Sequence, residues 1–196
     1  MCSLSPNDVG RVLLAVLAGA GLGIGEALGL RWRDVDLGTG TLHVRDSKTE
    51  KGIREVHLTP ALRETPTEWK VQGSDGFVIH TSTGHIHNPS NLRRDVLAKT
   101  VEAANEKLEE AGFAPIGRLT FHGLRRTYAS LRCVCGDDMR YTADQLGHED
   151  ARFTMRCYAQ ASKRRDRMAK PQQRAFDAAI ERAQMAGFGH SMGTKS

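Results

Sequence analysis

No stretch of this sequence approaches the roughly 20 consecutive apolar residues that a membrane-spanning helix needs. The longest apolar run, Val12 to Ala20, falls inside an amphipathic pattern and lacks the basic leader of a secretory signal. Cysteine is scarce: Cys2, Cys133, Cys135 and Cys157 are the four in the chain. Cys133-x-Cys135 has neither the two-residue gap nor the second pair of a zinc site, and on a helix two such thiols point in different directions. All four are expected to be reduced, in a cytoplasmic protein. No internal repeat is present, and no carboxylate cluster has two-metal spacing, so neither a metal nor a cofactor is expected. The glycines from Gly19 to Gly25 do not form a dinucleotide loop: the G-x-G-x-x-G pattern fails at Glu26, and a helix rather than a strand precedes it.

What is present suits a globular chain with one buried core and a tail. Its 196 residues are 39% hydrophobic and 26% charged. Lysine and arginine total 28 against 23 acids, a net charge of +5, which is compatible with nucleic acid without requiring it. The basic residues gather at Arg93-Arg94, Arg125-Arg126 and Lys163-Arg164-Arg165. Any one of these patches alone reads first as a solvated face.

Ser5-Pro6-Asn7-Asp8 has the cap, proline and acid of a helix start, and Val9, Val12, Leu13, Val16 and Leu17 follow at helical spacing. A second short helix is predicted from about Gly25-Glu26 towards Trp32. Leu42 and Val44, then Ile53 and Val56 to Leu58, alternate around the polar turn 46–52, which predicts a β-hairpin with Lys48 near its tip. Phe77-Val78-Ile79 is a third strand candidate. Helices are predicted from about Asn91 to Glu110, Thr120 to Leu131, Tyr141 to Leu146 and Phe153 to Ala159. From Pro171 a moderately amphipathic stretch (Phe176, Ala179, Ile180, Met185) precedes a Gly/Ser/Lys tail. The expected class is α+β, mostly helical, with a small three-stranded antiparallel sheet.

Three segments carry candidate chemistry. His122 and Arg125 are three apart, so on a helix they share a face and can address one anion. His148 follows Leu146-Gly147, where a helix C-cap is the plainer reading. Tyr158 lies ten residues further on, in Met155-Arg156-Cys157-Tyr158-Ala159, where core or interface packing is the plainer reading. Each is weak alone.

Their order and spacing closely resemble the C-terminal signature of the tyrosine recombinases, or phage integrases: H-G-L-R-R-T-Y-A, then L-G-H, then a tyrosine. Val44-Arg45-Asp46-Ser47-Lys48-Thr49 is similar to the family's strand and turn bearing a catalytic lysine. Residues 21–37, Gly21-Leu22-Gly23-Ile24-Gly25-Glu26 through Leu37, resemble its first conserved block. The resemblance covers about Leu4 to Gln160. It implies Tyr158 as nucleophile, Lys48 as proton donor, Arg125 and His148 as phosphate ligands and His122 as an aid to proton transfer or hydrogen bonding, with Lys48, Arg125 and Arg126 at the DNA. One departure stands out: where the family's pattern has the first catalytic arginine, this sequence has Gly23, and Arg31 is not assigned its role.

The resemblance therefore implies a site-specific DNA recombinase catalytic domain working through a 3′-phosphotyrosine, impaired at Gly23. A catalytically inactive DNA-binding relative is the alternative. It implies double-stranded DNA as partner, a homo-oligomer (a tetramer on DNA), a nucleoid-associated location and no membrane. Residues 1–170 are expected to be the catalytic domain, without the family's N-terminal core-binding domain, and 171–196 a C-terminal helix and flexible tail.

Overall fold

The computed structural model describes residues 6–47, 49–59, 62, 76–148 and 152–167, and positions 170, 174 and 178. The described residues are mostly helical, with one small antiparallel sheet.

Helix α1 (Pro6–Gly19) buries Val9, Val12, Leu13, Val16 and Leu17, the stripe its periodicity predicts. Each such side chain contributes about 1.5–3 kcal/mol on full burial, so α1 is the keel of the core rather than part of a site. Ser5, its expected cap, lies outside the described residues. Helix α2 (Ile24–Gly29) is short, and the chain leaves it through a 3-10 turn, Trp32–Asp34.

The sheet runs β1 (Val35–Asp36), β2 (Thr41–Val44), β3 (Arg54–His57), antiparallel throughout. Leu42, Val44 and Val56 face the core, and His43 and Glu55 are register partners on the open face. The hairpin is as predicted, but the third strand is not. Phe77 makes only an isolated antiparallel bridge to Arg31, and Val35–Asp36 takes the third place in the sheet. A two-residue strand leaves almost no alternation to detect, whereas 77–79 is apolar because Val78 and Ile79 are core.

Asn88 caps the long helical run, its carbonyl accepting from the Ser90 N–H at 2.8 Å with Pro89 in the first turn. The run passes from α3 (Pro89–Leu92) through a π-helical turn (Arg93–Leu97) into α4 (Ala98–Glu110). Three helices then follow: α5 (Phe121–Val134), α6 (Met139–Leu146) and α7 (Arg152–Asp166). The last is longer than the predicted 153–159. Helix α5 is central, packing against α1, α6 and α7. Cys133 and Cys135, buried at its end, are not joined in a disulfide. Among the described residues, no helix is long and apolar enough to cross a membrane.

Candidate active site

The site is built around one carboxylate. Gly23 is the N-cap of α2, and its N–H donates to Glu26 Oε2 at 2.7 Å, so Glu26 caps its own helix. The same oxygen accepts from Arg125 Nη1 at 3.0 Å. Arg54, from β3, donates to Oε1 at 2.9 Å and to Oε2 at 3.2 Å. Arg54 also donates to the carbonyls of Gly52 at 2.8 Å and Gln145 at 2.7 Å, and its side chain is only 6% exposed. Burial alone raises the Glu26 carboxyl. Hydrogen bonds and charge from Arg54, the Gly23 N–H and Arg125 outweigh it and hold the group below the ordinary carboxylate range.

Arg125 reaches the carboxylate from α5, whose N-cap Thr120 accepts from the Gly123 N–H at 2.9 Å. Its Nη1 also donates to the Gly21 carbonyl at 2.8 Å and its Nη2 to the Leu146 carbonyl. Gly21 has φ +66°, and a Cβ there would fall 2.4 Å from Tyr128 Cδ1, so only glycine brings that carbonyl to Arg125. A guanidinium has five N–H groups. Three are committed among the described residues, which leaves Nε and one Nη2 hydrogen. His122, one turn earlier, is exposed at the same cleft.

Helix α6 is capped by Asp138 and ends at Gly147, in the left-handed region with φ +63°. The His148 N–H reaches back to the Ala143 carbonyl at 3.0 Å, completing a Schellman-type stop. A Cβ on Gly147 would lie 3.0 Å from the Lys51 carbonyl oxygen and 3.1 Å from Gly52 Cα. The hairpin and the His148 turn therefore touch through a glycine. Gln145 extends that contact. Its Oε1 accepts from the His57 N–H at 2.7 Å and its Nε2 donates to the Glu55 carbonyl at 3.2 Å, which pairs the free edge of β3 with a side chain.

His148 Nδ1 lies 3.1 Å from Thr154 Oγ1, tying this turn to α7 four residues before Tyr158. Burial first, then the charges of Arg125 and Arg54, push the His148 imidazole down to about 4, so it is neutral at pH 7. Burial likewise lowers Arg125, opposed by Glu26.

Gly23, His122, Arg125 and Gly147 line one cleft of about 920 Å³. Arg126 points elsewhere, donating to Gln160 on α7. Lys48 and the side chain of Tyr158 lie outside the described residues. An added Cβ at Gly23 would meet Glu26 Oε2 at 3.5 Å and Arg125 Nη1 at 3.9 Å, ordinary contacts at the cleft wall. Sequence reasoning missed Arg54, Gln145 and Thr154, and it gave Glu26 no role. Among the described residues, no group of three or more His, Cys, Asp or Glu is placed to hold a metal.

His122, Arg125 and the Glu26 carboxylate, held between two arginines, thus line one cleft of an α+β scaffold. Residues 6–165 match the phage integrase family, and the chain belongs to that family. An integrase/recombinase of Escherichia coli is 27% identical, the match covering 78% of this chain and 58% of the relative. Tyrosine recombinase XerC of Oceanobacillus iheyensis is 28% identical over 74% of this chain and 47% of the relative. The chain thus spans about half the length of these curated relatives. Among solved structures, the XerA recombinase crystal structure matches with TM-score 0.56 at 19% identity, covering 91% of this chain and 63% of that one. The Tn1549 transposon integrase in complex with a circular intermediate DNA matches with TM-score 0.62 at 17% identity, covering 84% of this chain and 65% of that one. These likenesses establish a recombinase catalytic-domain fold.

Proposed function

We propose that residues 1–170 are the DNA strand-cleaving and rejoining domain of a site-specific recombinase, with Tyr158 as nucleophile. The Tyr158 hydroxyl oxygen attacks the scissile phosphorus and the bond to the 5′-oxygen breaks. The products are a 3′-phosphotyrosyl link and a free 5′-hydroxyl. Lys48 supplies the proton to the leaving oxygen, and His122 assists transfer of the tyrosine proton. The covalent link conserves the phosphodiester's energy, so rejoining needs no nucleotide cofactor.

The observation that carries this reading is the convergence of two segments distant in sequence, residues 21–26 and Leu146, on the Arg125 guanidinium. Glu26 and two carbonyls hold it with Nε and one Nη2 hydrogen left over, a geometry suited to two non-bridging phosphate oxygens. A neutral His148 at the same turn is a hydrogen-bonding partner for phosphate rather than a second cation. Preorganised donors of this kind stabilise charge that develops on a phosphorane-like transition state.

Gly23 favours a second reading, a DNA-binding relative that does not turn over. One lost preorganised donor costs on the order of 10²–10³ in rate, and a lost arginine on a transferring phosphoryl group about 10³–10⁵. Incubation with a nicked suicide duplex separates the two. A covalent adduct mapped to Tyr158, and absent in Tyr158→Phe, supports cleavage; duplex binding without adduct supports the second reading. Double-stranded DNA as partner, a tetrameric assembly on it and a nucleoid location follow from the first reading.

A further inference from the structure

The cleft extends well beyond the groups just described. Its volume, about 920 Å³, is far larger than one phosphate, and its lining also carries Arg31, Arg33 and Arg45. Two of these are held in place by built partners. Arg31 is the bridge partner of Phe77, with Trp32 N–H donating to the Gly76 carbonyl at 3.1 Å and Val78 N–H to the Leu30 carbonyl at 2.8 Å. That pairing puts both side chains on one face, and the Arg31 Cζ sits 4.1 Å over the Phe77 ring centroid. A guanidinium lying flat on a ring still presents its N–H groups edge-on.

Arg45 leaves the end of β2 and donates its Nε to Asp34, whose carboxylate is only 7% exposed while Arg45 is 64% exposed. The buried acid engages Nε and so orients the stem of an arginine that lines the cleft. Of the acids lining this cleft, Glu26 is engaged by Arg54 and Arg125 and Asp34 by Arg45, while Asp46 follows Arg45 in the chain.

We propose that Arg31, Arg33 and Arg45 form a second phosphate-binding lip, which takes phosphodiesters of the bound duplex other than the one at Arg125. The inference rests on the DNA reading above and assigns it residues. Phosphate contacts of this kind fix register on the duplex, and each released counterion adds about 0.9 to the salt slope of binding.

The test is fluorescence anisotropy of the full chain with a labelled duplex of about 30 base pairs, titrated over potassium chloride. Arg31→Gln is expected to lower the slope of log K against log salt by about 0.9 and to weaken binding several-fold at 0.1 M salt. Arg45→Gln alone strands buried Asp34, so the decisive variant is Asp34→Asn/Arg45→Gln, which leaves net charge unchanged. It is expected to lower the slope by the same amount. Arg94→Ala, on an exposed arginine paired with Asp95 outside the cleft lining, is expected to leave the slope at the wild-type value. Wild-type slopes in both cleft variants, or an equal loss in Arg94→Ala, overturn the lip. No binding by the wild-type chain overturns the DNA reading itself, and the lip with it.

Discussion

Arg125 Nη1 donates to Glu26 Oε2 at 3.0 Å across 99 residues of sequence, and the same carboxylate holds Arg54 through both its oxygens. One negative charge thus sits between two largely buried positive ones. The arrangement fixes the Arg125 guanidinium while leaving an excess positive charge for an anion. It also joins α2, β3 and α5, so the site and the fold share a fastening.

Removing that charge is expected to be costly. Glu26→Gln keeps the shape but leaves two buried guanidinium groups without an anion, which typically costs roughly 3–5 kcal/mol. Urea unfolding followed by circular dichroism measures it. A loss below about 1 kcal/mol, the range of an exposed pair, would show that water reaches the cluster.

Gln145 fastens the hairpin to α6. Gln145→Ala is expected to cost about 1–3 kcal/mol, from two lost hydrogen bonds and an edge left to water. The local readout is sharper than the global one. The His57 amide should exchange with solvent much faster in the variant at unchanged pH, because its acceptor is Gln145 Oε1. Unchanged protection would mean that another group covers the β3 edge.

At Gly147 any side chain meets two obstacles: φ is +63°, and the hairpin backbone lies 3.0–3.1 Å from the Cβ position. Gly147→Ala is therefore expected to lose at least about 1–2 kcal/mol from the left-handed conformation alone. Displacement of the hairpin adds to that. Thermal unfolding of the variant against wild type measures the sum.

His148 sets a pH dependence with a definite sign. Its folded value, about 4, lies below the ordinary 6.5, so between those values the unfolded chain binds the extra proton. This group's stabilisation is complete above pH 6.5 and is lost as pH falls towards 4. Glu26, held below 4.5, adds a separate loss at lower pH as it protonates. Urea unfolding at pH 7, 5.5 and 4.5 should show His148→Gln losing less stability than wild type across that window. A parallel loss in both proteins would place the titration elsewhere.

Much of this was legible in the sequence, and the gaps have physical causes. The α1 stripe, the hairpin and the Leu146-Gly147-His148 stop are local patterns of period or cap, and they appear where expected. The block around Gly21 to Glu26 and the His122–Arg125 pair were visible through their resemblance to the family's ordered motifs. Arg54 and Gln145 carried no such mark. Arg54 reads as an ordinary charged residue on a strand until Glu26, 28 residues earlier, and Gln145, 91 residues later, are brought to it. The strand expected at 77–79 failed because apolar residues serve a loop under the core as well as they serve a sheet.

On the proposed reading, the cleft is a strand-cleaving site short of one guanidinium at Gly23. A Cβ at that position meets nothing closer than 3.5 Å, so an arginine side chain can start from it without displacing the wall. The direct measurement is the single-turnover rate of covalent adduct formation on a nicked suicide duplex, for wild type, Gly23→Arg and Gly23→Arg/Tyr158→Phe. Wild type is expected to form the adduct slowly and Gly23→Arg to raise the rate on the order of 10²–10³. The double variant is expected to form none. No gain in Gly23→Arg, or an adduct that survives Tyr158→Phe, would contradict that reading.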